Sequence, residues 1–167
     1  MIASAKVRVR YQETDCMKVV YYGNYLTYFE VGRVEFLRQQ GLPMSEVDQK
    51  VHLPVVEATV RYVRPARLDE LLDVRCWVSE RKRASFRFAY EIVNEAGQAV
   101  ATGSTLHACW DPATSKMIAV PAWLVAIMPV VAPGPVRTVV RVPPGRGPDA
   151  GAVPAIDSNE RSARSQV

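Results

Sequence analysis

Three stretches in the middle of the chain alternate apolar and polar residues, and this alternation constrains the fold more than any other feature. They cover residues 56–62, 72–78 and 86–92. Alternation with a period of two puts the apolar side chains on one face of a strand, so each stretch is predicted to be a half-buried strand. The short connections at residues 81–84 and 94–97 predict hairpin turns, which make the strands that they join antiparallel.

Two further strands and one long helix complete the pattern. Residues 6–11 are predicted to form a first strand and residues 99–110 a last one. Asn24 can cap a helix that runs to about Gln40, and Gly41 stands where a left-handed C-terminal cap belongs. One central helix wrapped by a bent antiparallel sheet of about five strands is an α+β arrangement.

The predicted helix has an apolar face and a glycine in its middle. Leu26, Phe29, Phe36 and Leu37 recur at helical spacing and are predicted to pack on the sheet. Gly32 costs a helix about 1 kcal/mol relative to alanine. We expect that a close approach of the helix to the sheet offsets this cost.

Composition changes sharply near Pro129. The 167 residues, 49% of them apolar, are enough for one good core and too few for two ordinary domains. From residue 130 onward the chain is rich in Pro, Gly, Ala and Ser, with too little apolar surface to offset its ordering entropy. We therefore predict one domain over residues 1–129 and a disordered Pro/Gly-rich tail over residues 130–167.

Charge and residue spacing argue against several classes of protein. A net charge of +4 is too small for a nucleic-acid binder. No apolar run approaches the roughly 20 residues of a membrane helix, so no membrane span is expected. Three widely spaced cysteines predict reduced thiols in the cytoplasm. Neither they nor the two isolated histidines match a zinc spacing, so no metal is expected.

Asp15 is the first candidate for a catalytic group. It is the only acid between Thr14 and Tyr25, and it stands before the apolar residues Val19 and Val20. Partial desolvation frees a carboxylate from competing water, as a general base or a carboxylate nucleophile requires. A turn aspartate that accepts hydrogen bonds from nearby backbone amides is the alternative.

The chain resembles hotdog-fold acyl-CoA thioesterases of the 4-hydroxybenzoyl-CoA thioesterase type. The resemblance covers residues 5–128, and each matching piece is weak alone but specific in this order. The matching pieces are Asp15 with residues 19–25, residues 28–30 with Arg33, and residues 35–38, 53–58, 64–67 and 83–86. The resemblance implies the hotdog fold and hydrolysis of an acyl-CoA thioester.

The resemblance also implies roles for particular residues. Asp15 matches the catalytic carboxylate, either as nucleophile or as general base for a water, and the sequence leaves both routes open. The backbone N–H of His52 matches the donor that polarises the thioester carbonyl, and Tyr22 matches a residue that lines the pocket near the acid. Lys18 departs from the family pattern, which has glycine there. If the position needs positive φ, Lys18 is strained; if not, its ammonium can lie near the thioester or the CoA phosphates, or Lys18 can be a solvated loop residue.

CoA recognition and assembly follow from the same resemblance. Arg81, Lys82 and Arg83 form the densest basic cluster, on a predicted turn, and match contacts to the CoA phosphates of the substrate. No cofactor is implied. Hotdog domains associate through their sheets, so a homodimer or homotetramer is expected, with Asp15 of one chain and the His52 backbone of another in each site.

Other readings of the sequence stay open. Cys16 adjoins Asp15, but neither histidine is near it in sequence, which disfavours a Cys-His enzyme. Glu30 and Glu35 on the helix are reserve carboxylates, although Arg33 and Arg38 can pair with them. A non-catalytic hotdog module that binds acyl-CoA or a protein partner is the main alternative function.

Overall fold

Five antiparallel strands form one sheet against a long helix in the computed structural model, which describes residues 1–131. The strand order is β1-β3-β4-β5-β2. In chain order the elements are β1 (Ala3–Arg8), a 3-10 turn (Tyr11–Glu13), α1 (Asn24–Gln39), α2 (Met44–Val47), β2 (Val55–Tyr62), β3 (Leu71–Arg81), β4 (Ser85–Val93), β5 (Ala99–Ala108), β6 (Trp110–Asp111), β7 (Lys116–Met117) and α3 (Ala122–Ile127). The predicted α+β architecture, one long helix with a five-stranded antiparallel sheet, is confirmed.

Helix α1 lies against β1 and β3, where Gly32 lets the two layers approach. A Cβ atom added at Gly32 would lie 2.9 Å from Cγ1 of Val74 and 3.5 Å from Cβ of Cys76. The first distance is too short for a real contact, so a side chain at residue 32 would push the helix off the sheet. The predicted close approach at Gly32 is confirmed.

The two ends of α1 differ in how well they match the predicted caps. At the C-terminal end Gly41 has a φ of +76°, and its N–H donates to the Arg38 carbonyl while Leu42 N–H donates to the Leu37 carbonyl. This Schellman arrangement confirms the glycine cap. At the other end the prediction is wrong, because Gly23 is the capping residue and Asn24 is already helical.

The buried face of α1 is broader and more aromatic than predicted. Phe29, Phe36 and Leu37 are buried as expected, but Leu26 is 43% exposed. Tyr25 and Tyr28 are buried instead. The prediction therefore holds at three of its four positions, and the buried face extends over the two tyrosines and not over Leu26.

The alternation predicted burial correctly for two of the three stretches. In β3 and β4 every second residue is buried, namely Leu72, Val74, Cys76 and Val78, then Phe86, Phe88, Tyr90 and Ile92. Strand β2 alternates equally well in sequence, yet its residues are exposed except for the half-buried Val60. It is an edge strand of the sheet, and no residue between 1 and 131 buries its apolar positions beyond the half-burial of Val60.

The C-terminal part of the described chain returns to the sheet. Val130 lies beside Val78 in a parallel bridge, and Val131 N–H donates to the Val78 carbonyl at 2.8 Å. The rest of the predicted tail, residues 132–167, lies outside the described residues, so the division at residue 129 stays a prediction. None of the helices within residues 1–131 is long and apolar enough to cross a membrane.

Candidate active site

Asp15 sits in a tight loop whose hydrogen bonds are almost all local. Its N–H donates to the Val19 carbonyl at 2.9 Å, and Lys18 N–H donates to the Asp15 carbonyl at 2.9 Å. Met17 N–H donates to Oδ1 of Asp15 at 2.8 Å. Oδ2 accepts no hydrogen bond from any residue between 1 and 131. Asp15 is half-buried. Its Oδ1 accepts a local hydrogen bond, as in a turn aspartate, while its Oδ2 is available for chemistry.

Lys18 closes this loop in a left-handed conformation. Its φ is 60°, in the left-handed region. This conformation costs a residue with a Cβ atom about 1–2 kcal/mol. The family's glycine at this position therefore has a physical reason, and the condition under which strain is expected at Lys18, a positive φ, is met. The other neighbours of Asp15 must hold the loop closed against this cost.

Glu13 helps to keep the Asp15 loop closed. The sequence did not predict this role. Its buried carboxylate accepts the Arg10 backbone N–H and the Tyr28 hydroxyl, each at 2.8 Å, and pairs with the Arg10 guanidinium at 2.7 Å. Burial raises the pKa of Glu13, but the hydrogen bonds from Arg10 and Tyr28 outweigh it and leave the pKa below its ordinary value. The Glu13 carbonyl accepts Tyr21 N–H at 2.9 Å and the Asn24 side-chain amide at 2.8 Å.

Asp15 opens onto a cleft of about 340 Å³ with mostly apolar and aromatic walls. Tyr22 lines the same cleft and is 62% exposed, and its carbonyl accepts the Tyr62 hydroxyl at 3.0 Å. Tyr62 packs edge-on against Tyr25, with ring centroids 5.2 Å apart. Arg64 is the basic residue of the lining. Asp15 and Tyr22 are therefore brought together, as the resemblance implies, and their roles stay predictions.

The His52 amide requires a correction. His52 N–H donates to the Trp110 carbonyl at 2.9 Å, and Trp110 N–H donates back to the His52 carbonyl at 2.9 Å. An N–H engaged in a good hydrogen bond is not available to a thioester oxygen. The next amide along the chain, that of Leu53, donates no hydrogen bond to any residue between 1 and 131. Pro54 follows it and has no N–H.

Asp15 and the Leu53 amide lie at opposite ends of β2. Val20 N–H donates to the Ala66 carbonyl at 2.9 Å, which ties the Asp15 loop to the segment after Tyr62. Leu53 instead stands just before Val55, where β2 begins. At about 3.3 Å per residue, the seven steps of β2 separate the two ends by about 23 Å. One chain by itself cannot bring both groups to one thioester.

The basic turn lies at the Leu53 end, because Phe86 pairs with His107, which pairs with Val55. Its three cations differ in the hydrogen bonds and ion pairs that they already form within the described residues. Arg81 donates to the Met128 carbonyl at 3.0 Å and to the Val125 carbonyl at 3.3 Å, so it anchors the end of α3. Lys82 pairs with Glu80 at 3.1 Å. Arg83 is exposed and has no ion-pair partner within residues 1–131.

The alternative catalytic groups are placed less favourably. Cys16 is exposed, and the cleft lining within the described residues contains neither histidine. Glu30 pairs with Arg33 at 3.7 Å, and Glu35 pairs with Arg38, which confirms the predicted salt bridges. The His, Cys, Asp and Glu side chains between residues 1 and 131 form no group of three that could hold a metal ion.

One helix against a five-stranded antiparallel sheet, with a carboxylate loop before the helix, is the hotdog fold. A family model for the thioesterase-like superfamily matches residues 9–128, and the chain belongs to that superfamily. The chain is 32% identical over 127 residues to "Putative acyl-CoA thioesterase YneP" of Bacillus subtilis, covering 73% of this chain and 92% of the relative. It is 33% identical over 121 residues to "Acyl-CoA thioester hydrolase YbgC" of Escherichia coli O157:H7, covering 72% and 90%.

A solved structure agrees with these relatives. The fold matches a hypothetical protein, TT1821, from Thermus thermophilus with a TM-score of 0.71 and 34% identity. The match covers 76% of this chain and 95% of that one. The hotdog fold and the membership of the thioesterase-like superfamily, both expected from the sequence, are confirmed.

Proposed function

We propose that this protein hydrolyses acyl-CoA thioesters to a free acid and CoA, with Asp15 as the catalytic carboxylate. The observation that carries the proposal is the half-buried Asp15, held by its own turn with one oxygen left open to an apolar cleft. The relatives named as acyl-CoA thioesterase and acyl-CoA thioester hydrolase support the same substrate class. All three cysteines are free thiols, which supports a reducing compartment, and we place the enzyme in the cytoplasm.

Asp15 can act by either of two routes. As a nucleophile its oxygen attacks the thioester carbonyl carbon, CoA leaves as a thiolate, and water then hydrolyses the acyl-aspartyl anhydride. As a general base Asp15 takes a proton from a water that attacks the same carbon, and CoA again leaves as a thiolate. Both routes put negative charge on the carbonyl oxygen in the transition state, so both need a hydrogen-bond donor there.

Pairing of two chains along β2 would supply that donor. An antiparallel contact between two copies of β2 about a two-fold axis places the Tyr62 end of one chain beside the Val55 end of the other. Asp15 of one chain then faces the His52–Leu53 turn of its partner across the joint. The exposed edge strand, with Val55 45% and Val56 57% exposed, supports this homodimer. A homotetramer would pair two such dimers through other surfaces.

The same pairing would bring the basic turn to the CoA end of the substrate. Because that turn lies at the Leu53 end of the sheet, it approaches the site through the partner chain. Lys82 and Arg83 are the cations of this turn that remain free to meet phosphates, since Lys82 has only an exposed surface partner. Arg81 has a structural role in this account, because its guanidinium holds α3.

Release of free thiol from a panel of acyl-CoAs tests the proposal. The panel contains short, long and aromatic acyl groups, and a thiol reagent follows the CoA that is set free. We expect turnover of at least one member that is lost in Asp15→Asn. No release above background from any member would reject the enzyme and favour a hotdog module that binds acyl-CoA without cleaving it.

A further inference from the structure

Arg64 is a cation held in place at the wall of the cleft onto which Asp15 opens. It follows the end of β2, where the Val63 and Arg64 N–H groups both donate to the Val100 carbonyl, at 2.9 Å and 3.0 Å. The side chain is tied as well, because Nη1 of Arg64 donates to the Ala99 carbonyl at 3.1 Å. Arg64 is half-buried, so its guanidinium is confined before any substrate arrives.

The Arg64 guanidinium keeps most of its hydrogen-bond donors. A guanidinium is a planar fork of N–H groups, and the bond to the Ala99 carbonyl uses only Nη1. No carboxylate between residues 1 and 131 forms an ion pair with Arg64, and this includes Asp15 in the same cleft. Because a half-buried cation without a counter-charge is costly, an anion that arrives with the substrate gains from pairing with it.

The walls of the cleft make charge matter for what can enter. Within the described residues, Asp15 and Arg64 are the charged residues of the lining, one of each sign. The remaining lining consists of valine, methionine, proline and tyrosine. Such walls screen charge less than water does, so an anionic group in the cleft is repelled by Asp15 and attracted by Arg64 more strongly than in solution.

Two parts of an acyl-CoA can bear negative charge, and they lie far apart. The phosphates of CoA lie beyond the whole pantetheine arm, many bonds from the thioester sulfur. A substituent of the acyl group lies within a few bonds of the thioester carbon on which Asp15 acts. Arg64 lines the same cleft of about 340 Å³ as Asp15, so the acyl group is the part within its reach. In the proposed dimer the phosphates meet the basic turn instead.

We infer that Arg64 is a specificity-determining residue that selects acyl groups bearing a carboxylate, as in the CoA monothioester of a dicarboxylic acid. The inference rests on the proposed function and names the substrate class within it. Such a substrate brings a second anion beside Asp15, and the Arg64 fork offsets that charge with hydrogen bonds whose geometry matches a carboxylate. The contact exists before and during the reaction, so Arg64 acts mainly on KM.

Steady-state kinetics of the full chain with matched pairs of substrates tests the inference. Each pair differs only by a carboxylate in place of a methyl group: glutaryl-CoA with pentanoyl-CoA, adipyl-CoA with hexanoyl-CoA, and para-carboxybenzoyl-CoA with para-methylbenzoyl-CoA. The measured quantity is the ratio of kcat/KM for the two members, after subtraction of the hydrolysis without enzyme. Because each ratio is taken on one protein sample, it does not depend on how much of a variant is folded.

The variants are Arg64→Gln, which removes the charge, and Arg64→Lys, which keeps the charge without the fork. Arg67→Gln is the matched control, because Arg67 is exposed on the same segment and does not line the cleft. An Arg64 that only ties its side chain to Ala99 predicts a lower Tm and equal losses on both members of a pair. A selecting Arg64 predicts a loss confined to the carboxylated member.

We expect the wild type to favour the carboxylated member of at least one pair by about tenfold or more, mostly through KM. Arg64→Gln should abolish this preference, Arg64→Lys should keep part of it, and Arg67→Gln should leave it within about twofold of the wild type. No preference for the carboxylated member in any pair, or a ratio unchanged in Arg64→Gln, overturns the inference while leaving the enzyme in place. A wild type that cleaves no acyl-CoA rejects the proposed function and this inference with it.

The corresponding acyl-pantetheines separate the acyl carboxylate from the CoA phosphates. They keep the acyl group and the thioester but lack the nucleotide phosphates, so the preference for the carboxylate and its loss in Arg64→Gln should persist. A KM that rises equally for all acyl-CoAs in Arg64→Gln, with the acyl-pantetheines unaffected, would assign Arg64 to the CoA phosphates and overturn its role in acyl selection.

Discussion

The two ends of β2 carry the two halves of the proposed site, and the chain builds them in different ways. At the Tyr62 end, Asp15 is held by bonds to Met17, Lys18 and Val19, all within four residues. At the Val55 end, the Leu53 turn is held by Trp110 and His107, which come from more than 50 residues away. The carboxylate thus depends on a local turn, and the amide donor depends on the register of the sheet.

The largest expected effect is on the activity of Asp15 variants, at the Tyr62 end of β2. Asp15→Asn keeps Oδ1 as the acceptor for Met17 N–H, so the loop should stay closed while the charge is lost. We expect kcat to fall about 10³-fold or more with the fold intact by circular dichroism. Cys16→Ala is the matched control, one residue away and exposed, and should be nearly silent.

A fall in kcat of less than about tenfold, near 1.4 kcal/mol of barrier, would remove Asp15 from the chemistry. A comparable loss in Cys16→Ala would give the catalytic role to the thiol.

The next effect concerns His107, at the Val55 end of β2. We expect it to appear in the pH dependence of stability. Burial, with a smaller contribution from the Arg33 charge, lowers the pKa of His107 from 6.5 to about 4. The unfolded chain binds a proton at this histidine below pH 6.5, while the folded chain does not until about pH 4. Stability from the neutral His107 is therefore complete above pH 6.5 and is lost as the pH falls to about 4. The loss is about 3 kcal/mol in the free energy of unfolding.

Urea unfolding of the wild type and His107→Gln at several pH values isolates this contribution. The difference between the two free energies of unfolding should shrink as the pH falls from 6.5 to 4. A difference that is constant across this range would show that His107 titrates alike in the folded and unfolded chains.

The basic turn provides a smaller effect, specific to the nucleotide part of CoA. Replacing Lys82 and Arg83 by Glu should raise KM for acyl-CoA about tenfold, with less change in kcat. The matching acyl-pantetheine, which lacks the nucleotide phosphates, should be affected much less. Equal effects on both substrates would place the CoA phosphates elsewhere.

Arg81→Ala is the contrasting variant at the same turn. Because its guanidinium bonds the Met128 and Val125 carbonyls, its loss should lower Tm by releasing α3. A rise in KM for acyl-CoA without a fall in Tm would return Arg81 to the phosphate site.

The smallest effect concerns the strained loop beside Asp15. Lys18→Gly relieves a φ of 60° and should stabilise the protein by about 0.5 kcal/mol, since glycine's gain there is partly offset by its unfolded-state entropy. Lys18→Ala is the control, because it removes the charge and keeps the Cβ atom. A stabilisation in Lys18→Ala equal to that in Lys18→Gly would show that charge, and not backbone strain, matters at this position.

The sequence predicted most of what is local, with the N-cap of α1 as an exception, and missed what depends on pairing. The Asp15 loop, the Gly41 cap and the alternation in β3 and β4 are written in neighbouring residues, and all were placed correctly. The engaged His52 amide was not predictable, because its partner Trp110 is fixed only when β5 has chosen its register. His107 looked like an isolated histidine for the same reason.

Glu13 and β2 show two further limits of the sequence. In the sequence, Glu13 resembles an ordinary surface acid. In the structure its carboxylate is buried and accepts hydrogen bonds from Arg10 and Tyr28. Strand β2 reads as half-buried, yet it is exposed in the single chain. The homodimer proposed above would cover its apolar positions with a second chain, which would account for the pattern.

The central claim is that Asp15 and the Leu53 amide of one site come from different chains. Complementation tests it by unfolding and refolding an equal mixture of Asp15→Asn and Leu53→Pro, the second of which lacks the amide N–H. Leu53→Ala, which keeps the N–H, is the control for the loss of the side chain. Each variant alone should be nearly inactive, while random pairing gives mixed dimers with one intact site. The mixture should therefore regain about one quarter of the wild-type activity per chain, as two-fold symmetry requires. A mixture that is no more active than its components, with dimers confirmed by light scattering, would contradict the shared site.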